Sequence, residues 1–151
     1  LMIHDIDIVL SLVKSPIERI DAVGIPVLTE NEDIANAHIV FKNGCIANLT
    51  ASRVSDEVVR KLRIFEMDKY LSLDYANQAI TMRRKESQEH IVTEELEVHK
   101  AEPLRLELAH FIQCIRERRK PLVSIEDGKN ALEVALEILS VIKDGYKKIN
   151  R

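Results

Sequence analysis

Apolar residues recur at helical spacing over the first fourteen positions, where Ile3, Ile6, Leu10 and Val13 form one stripe. This predicts a helix over 1–14, ended by Ser15-Pro16, because a residue before proline avoids the α region. Residues 17–28 are β-rich (Ile17, Ile20, Val23, Ile25, Val27), with Pro26, which has no N–H to donate, at an edge or strand end. Residues 30–36 read as a polar turn or short helix. Asn43-Gly44 between two alternating runs predicts a hairpin with a two-residue type I′ turn, in which both central residues have positive φ. That register pairs Lys42 with Cys45, Phe41 with Ile46 and Ile39 with Asn48. One face then carries Ile39, Phe41 and Ile46, continuing as Asn48, Thr50 and Ser52, and the other carries Val40, Cys45, Ala47 and Leu49. Two partly apolar faces predict a sheet covered on both sides.

Residues 60–83 read as a three-stranded meander with turns at Asp68-Lys69 and Asn77-Gln78. These turns align Ile64, Leu73 and Met82, place Leu62, Tyr75 and Ile80 beside them, and set Arg63 against Asp74 on the opposite side. The charged stretch 84–90 is a loop, and 90–98 is a further strand with Val92, Leu96 and Val98 on one face. The last third is helical. Pro103 suits a first turn, Leu104, Leu108, Phe111 and Ile115 form a stripe expected to be buried, and Arg116–Lys120 complement the helix dipole before Pro121 stops it. A second helix starts at Ser124-Ile125-Glu126-Asp127, which resembles a capping box. It carries Ala131, Val134, Ile138 and Val141 inward and is expected to end at Asp144-Gly145. A run of strands between helices predicts an α+β domain: an open, predominantly antiparallel sheet of about six strands with helices packed on one face.

Composition narrows the function classes. A chain of 151 residues suits one domain, and a net charge of −3 excludes a strongly basic nucleic-acid binder. Four Gly and four Pro exclude a collagen-like or low-complexity chain. No apolar run approaches the ~18 residues that span a bilayer. Two cysteines, Cys45 and Cys114, make neither a disulfide framework nor a CxxC pair. Both sit in apolar settings that suit inert thiols, and a reduced, cytoplasmic compartment is expected. The chain opens Leu1-Met2-Ile3-His4 inside an apolar pattern, which reads as an excised part of a longer protein.

The densest candidate chemistry is His4-Asp5-Ile6-Asp7, an imidazole and two carboxylates in one helical turn. A histidine at a helix start, partly desolvated and near carboxylates, can act as a general base or acid near neutral pH. The plainer alternative is a capped helix end with solvated charges. Arg53, at the end of the first hairpin, offers a fork of donors for a carboxylate or phosphate, or is a surface arginine at a strand end. Asn48, Thr50 and Ser52 share a polar stretch that can bind hydroxyls or simply face water. His38, His90, His99 and His110 are scattered, with no metal-ligand spacing. Arg83-Arg84-Lys85 reads as a solvated loop and Arg116–Lys120 as a solvated helix end, neither interleaved with aromatics.

Several of these segments, taken together, resemble a known family. Met2-Ile3-His4-Asp5-Ile6-Asp7-Ile8-Val9-Leu10 is similar to the H-x-I-D helix of the Gfo/Idh/MocA family of NAD(P)-dependent sugar and polyol dehydrogenases. The hairpin segment from Phe41 through Asn43-Gly44 to Ala51-Ser52-Arg53 resembles that family's first hairpin. Glu107 with Phe111, then Ser124, Asp127-Gly128 and Ala131-Leu132, resemble its closing helices. The resemblance covers residues 1–151 as a C-terminal substrate-binding and oligomerisation domain. It implies an N-terminal Rossmann domain, absent from this chain, that would bind NAD or NADP and supply the lysine of a Glu-Lys-Pro motif. His4 matches the family's histidine, which would accept the hydroxyl proton as hydride leaves the adjacent carbon. Asp7 matches a second acidic position and joins Asn48, Ser52 and Arg53 as an expected substrate-binding residue, in a supporting role. The family's other aspartate would fall before Leu1.

The implied function is oxidation of a hydroxyl on a sugar, nucleotide sugar or cyclic polyol, with a UDP-sugar oxidised at C3 as the narrowest expectation. By itself the domain should turn over nothing. The alternative is a non-catalytic oligomerisation or scaffold module of the same fold. A homodimer or homotetramer is expected through a sheet face, using Val40, Ala47 and Leu49 or Leu62, Ile64, Leu73 and Met82. No metal, nucleic acid or membrane is expected as a partner.

Overall fold

The computed structural model describes residues 1–87 and 90–149. In chain order these form α1 (Ile3–Val13), β1 (Ile17–Ile25), β2 (Ile34–Phe41), β3 (Ile46–Ser52), β4 (Lys61–Phe65), β5 (Lys69–Asp74), β6 (Ala79–Lys85), β7 (Ile91–Leu96), α2 (Pro103–Glu117) and α3 (Ile125–Ile149). Two compact units result: residues 1–55 with 120–151, and residues 56–119. The architecture is α+β and every strand pair is antiparallel, but the strands form two sheets, β1-β2-β3 and β4-β5-β6-β7, rather than a single one of about six.

In the first unit, Ile20, Ala37, Ile39, Phe41 and Leu49 turn one sheet face toward Ile6 and Val9 of α1 and Ala131, Val134, Ile138 and Ile142 of α3. Ile39 and Phe41 are fully enclosed. The other face is not covered by these helices, which corrects the expectation of a sheet covered on both sides. The hairpin register explains the difference. Phe41 N–H donates to Cys45 O, and Gly44 N–H to Phe41 O, so the loop holds three residues, Lys42-Asn43-Gly44. Only Gly44 has positive φ, at 85°. Val40 therefore pairs with Ile46, Ile39 with Ala47 and His38 with Asn48, one residue from the type I′ register. A one-residue slip exchanges the faces. Leu49 and Ala47 join Ile39 on the covered side, while Ile46, Asn48, Thr50 and Ser52 join Val40, His38, Asn36 and Ile34 on the open side.

Residues 26–33 form a bend, and 34–36 already belong to β2 rather than to a polar turn. α1 ends in a left-handed Lys14 whose N–H returns to Leu10 O. α3 begins with the expected box: Ser124 Oγ accepts from Asp127 N–H at 3.3 Å, and an Asp127 carboxylate oxygen accepts from Ser124 N–H at 2.8 Å. The helix does not end at Asp144-Gly145. Gly145 lacks the left-handed φ of a C-cap, and Tyr146 donates from its hydroxyl to Gly24 O, tying the last turns to β1. Ile142 rather than Val141 is the buried residue there.

In the second unit the meander is present, but each pairing is shifted by two. Phe65 pairs with Tyr70 and Asp74 with Ala79, so both connections are four-residue loops, 66–69 ending at the first residue of β5 and 75–78. Ile64 aligns with Leu71 and Met82, and Leu62 with Leu73 and Ile80. A two-residue slip preserves the faces, so the apolar side is the expected one with Leu71 added. β6 runs to Lys85, so Arg84 and Lys85 lie in a strand rather than a loop, and Arg84 pairs with Glu94 of β7 at 3.2 Å. Gln88 and Glu89 of the expected loop lie outside the described residues. Glu102 caps α2 by accepting from Leu104 and Arg105 N–H. The stripe expected to be buried is not: Leu104, Leu108, Phe111 and Ile115 are each more than half exposed, and Cys114 is the buried residue of this helix.

Candidate functional site

Helix α1 fixes His4 by what lies around it. Ile6 and Val9 are buried in the core, and Met2, Ile3 and Leu10 pack against it, so the first turn is anchored on its apolar side. His4 points off that side and is exposed, and Asp7, one turn on, is half-buried. Met2 occupies the N-cap position and provides no side-chain cap, so the first N–H groups are not masked by a polar side chain of the cap residue. An open groove of about 510 Å³ lies at the other end of the helix, lined by Leu10, Lys14, Pro16 and Ile17 with Glu133 and Glu137 of α3, and His4 is not part of its wall. Ten residues at 1.5 Å per residue put His4 about 15 Å along the axis from Lys14.

Arg53 follows β3. Its N–H donates to Asp33 O at 2.9 Å, and its Nε lies 3.7 Å from Asp33 Oδ1, with the arginine side chain about half exposed. Asp33 is the residue that sequence reasoning missed. It is 2% exposed, and one carboxylate oxygen accepts from the N–H groups of Val27 (3.0 Å), Leu28 (2.6 Å) and Thr29 (2.8 Å), while the other accepts from the Thr29 hydroxyl at 2.9 Å. These donors, led by the backbone N–H of Leu28, hold its pKa down to about 2 against the opposing effect of burial. The polar stretch 29–33 marks a turn, but nothing in its residue types says that Asp33 reaches back four to six residues to these N–H groups.

Asn48 Oδ1 and His38 Nδ1 lie 2.7 Å apart on the open sheet face, and Thr50 donates to Asn36 Oδ1 at 2.7 Å beside them. Ser52 Oγ accepts from Ser55 Oγ and Val54 N–H. The five expected site residues thus fall into separate groups. His4 and Asp7 share a helical turn, Arg53 is engaged with Asp33, and Asn48 and Ser52 lie on the sheet face turned away from α1. Among the described residues no cluster of His, Cys, Asp and Glu could hold a metal ion. Nor, among the described residues, is any helix long and apolar enough to cross a membrane.

Comparison with known proteins places this geometry. The profile of the GFO/IDH/MocA C-terminal domain matches residues 1–66, which include α1, the three-stranded sheet and Arg53. A UDP-N-acetylglucosamine 3-dehydrogenase from Acidithiobacillus ferrooxidans is 32% identical over 143 residues, covering 91% of this chain and 46% of that protein. A solved structure of that enzyme superposes with a TM-score of 0.87 at 31% identity, over 95% of this chain and 46% of the other. Residues 1–66 match the C-terminal domain of the Gfo/Idh/MocA family. Levoglucosan dehydrogenase in complex with NADH shares the fold, with a TM-score of 0.83 at 14% identity over 95% of this chain and 47% of that one. The chain spans about half the length of these relatives.

Proposed function

We propose that this chain is the substrate-side part of a nicotinamide-dependent dehydrogenase that oxidises a secondary hydroxyl of a nucleotide sugar, with UDP-N-acetylglucosamine as the leading substrate. One observation carries the reading. His4 is held by a buried helix face yet is itself exposed, in a chain 32% identical to a UDP-N-acetylglucosamine 3-dehydrogenase. Oxidation of an alcohol removes a proton from oxygen and a hydride from the adjacent carbon. His4 takes the proton on an imidazole nitrogen, a role for which its exposed position leaves room. Asp7, on the next turn, orients or balances the imidazolium that results.

The cofactor does not fit the residues present here. Dinucleotides bind at the mouth of a parallel β-α-β unit with a glycine-rich turn. Every strand pair here is antiparallel, and the chain has four glycines, none in a G-x-G arrangement. The NAD or NADP that accepts the hydride therefore belongs to residues outside this chain, in the proposed Rossmann domain. Arg53 is a substrate-side candidate, since its side chain retains exposed donors beyond the Asp33 contact. Asn48 and Ser52 are better suited to a second copy of this chain seated on the open sheet face, where Val23, Ile25 and Ile46 are each more than half exposed. That contact would give the homodimer or homotetramer.

The test is the longer protein with NAD+ or NADP+ and UDP-N-acetylglucosamine. Substrate-dependent appearance of reduced nicotinamide is expected. No reduction with any nucleotide sugar, or reduction with a free sugar alone, would contradict the assignment.

A further inference from the structure

The second unit presents a surface that the dehydrogenase reading leaves unused. In the sequence, no aromatic residue is interleaved with Arg83-Arg84-Lys85. Folding brings Arg83 beside Tyr70, with Phe65 one strand further on, because β5 lies between β4 and β6. Phe65 pairs with Tyr70, and Tyr70 with Arg83, so the three share one face of the four-stranded sheet. The Phe65 and Tyr70 rings are 5.1 Å apart between centroids and tilted by 47°, and the Arg83 guanidinium lies 5.9 Å from the Tyr70 centroid. The adjoining row on the same face is Arg63, Ser72 and Thr81.

Phe65 is 75% exposed, so about three quarters of a ring that would ordinarily be covered faces water. Arg63 and Arg83 make no ion pair with a carboxylate among the described residues, whereas Lys61 on this face is paired with Asp74 at 3.5 Å and Arg84 on the other face with Glu94. The surface therefore combines an exposed ring, two guanidinium groups without a carboxylate partner among the described residues, and two hydroxyls. Glu95, opposite Thr81, is the acid at its far edge.

We propose that this face of the β4–β7 sheet binds a nucleoside diphosphate. The base stacks on Phe65 against the Tyr70 edge, the diphosphate takes Arg63 and Arg83, and Ser72 and Thr81 face the ribose hydroxyls. Stacking is tolerant of base identity, and guanidinium forks match phosphate oxygens. The patch is two strand rows deep with one aromatic pair, which suits one nucleotide. A single-stranded nucleic acid would need several stacking positions and an excess of positive charge, and the chain carries −3. The proposal takes from the dehydrogenase reading only the choice of uridine diphosphate as probe.

The experiment is titration of the 151-residue chain, and of the longer protein, with UDP, followed by calorimetry and by amide chemical-shift changes. Saturable binding should shift Phe65, Tyr70, Ser72 and Arg83. R63Q, R83Q and F65A should each weaken it about tenfold. Because all three residues are exposed, circular dichroism should report unchanged folding. Inorganic diphosphate alone should bind more weakly than UDP. Shifts confined to other residues, equal affinity for diphosphate and UDP, or at least tenfold tighter binding of a ten-residue oligouridine would each overturn the proposal. H4A should leave this binding unchanged, so loss of turnover and loss of UDP binding report separately on the two readings.

Discussion

Arg53 Nε lies 3.7 Å from Oδ1 of Asp33, a carboxylate enclosed by the chain that turns from β1 into β2. The aspartate organises this corner from inside and the arginine closes it from outside. Three consecutive backbone donors converge on Asp33, so removing its charge leaves them facing a poorer acceptor. D33N should therefore lower the thermal midpoint more than R53A does, since the arginine is half exposed and its contact is long.

The same group sets an acid dependence. Its folded pKa is drawn from 3.8 down to about 2, so the carboxylate favours the folded state above pH 3.8, and that contribution is lost as pH falls through about 2. Denaturant midpoints of the parent chain and D33N should differ at pH 6 and converge toward pH 2. A gap that stays constant down to pH 2 would show that the charge of Asp33 plays no part.

The three-residue hairpin loop predicts unequal costs at Asn43 and Gly44. Gly44 has φ of 85°, where an added Cβ costs about 1–2 kcal/mol, although nothing lies within 4 Å of that Cβ. Asn43 has no positive φ and contributes one bond, accepting from Cys45 N–H at 3.1 Å. G44A should be the more destabilising substitution. Equal costs would restore the two-residue turn.

The position of α2 can be checked by paired truncations. Ile39 is fully buried, so I39A should cost about 2–5 kcal/mol. Ile115 is 61% exposed, and I115A in this chain should stay within about 0.5 kcal/mol. A large loss from I115A would mean that the α2 stripe is covered in solution.

These cases show how far the sequence could be read. Helical spacing located all three helices, and alternation located the strands, because burial leaves a periodic trace. Register did not follow. Asn43-Gly44 is compatible with two loops that differ by one residue, and the choice reverses which of Asn48 and Leu49 is covered. In the meander the error was two residues, which period-two patterning cannot detect. α2 carries a periodic apolar stripe that remains exposed, since periodicity records that a face is apolar without recording what lies against it. For the candidate site, the place of His4 beside the stripe was legible, but the partial desolvation expected for it is not found, since His4 is exposed and spacing does not report what lies over a side chain. Asp33 was not legible, because its partners are backbone N–H groups that no side-chain pattern reports.

The central claim is that His4 accepts the hydroxyl proton, and it is tested most directly by hydride transfer in a single turnover of the longer protein with nucleotide sugar and cofactor. H4A should slow that step by about a hundredfold or more while leaving the circular dichroism spectrum unchanged. A rate within a few-fold of the parent would contradict the account.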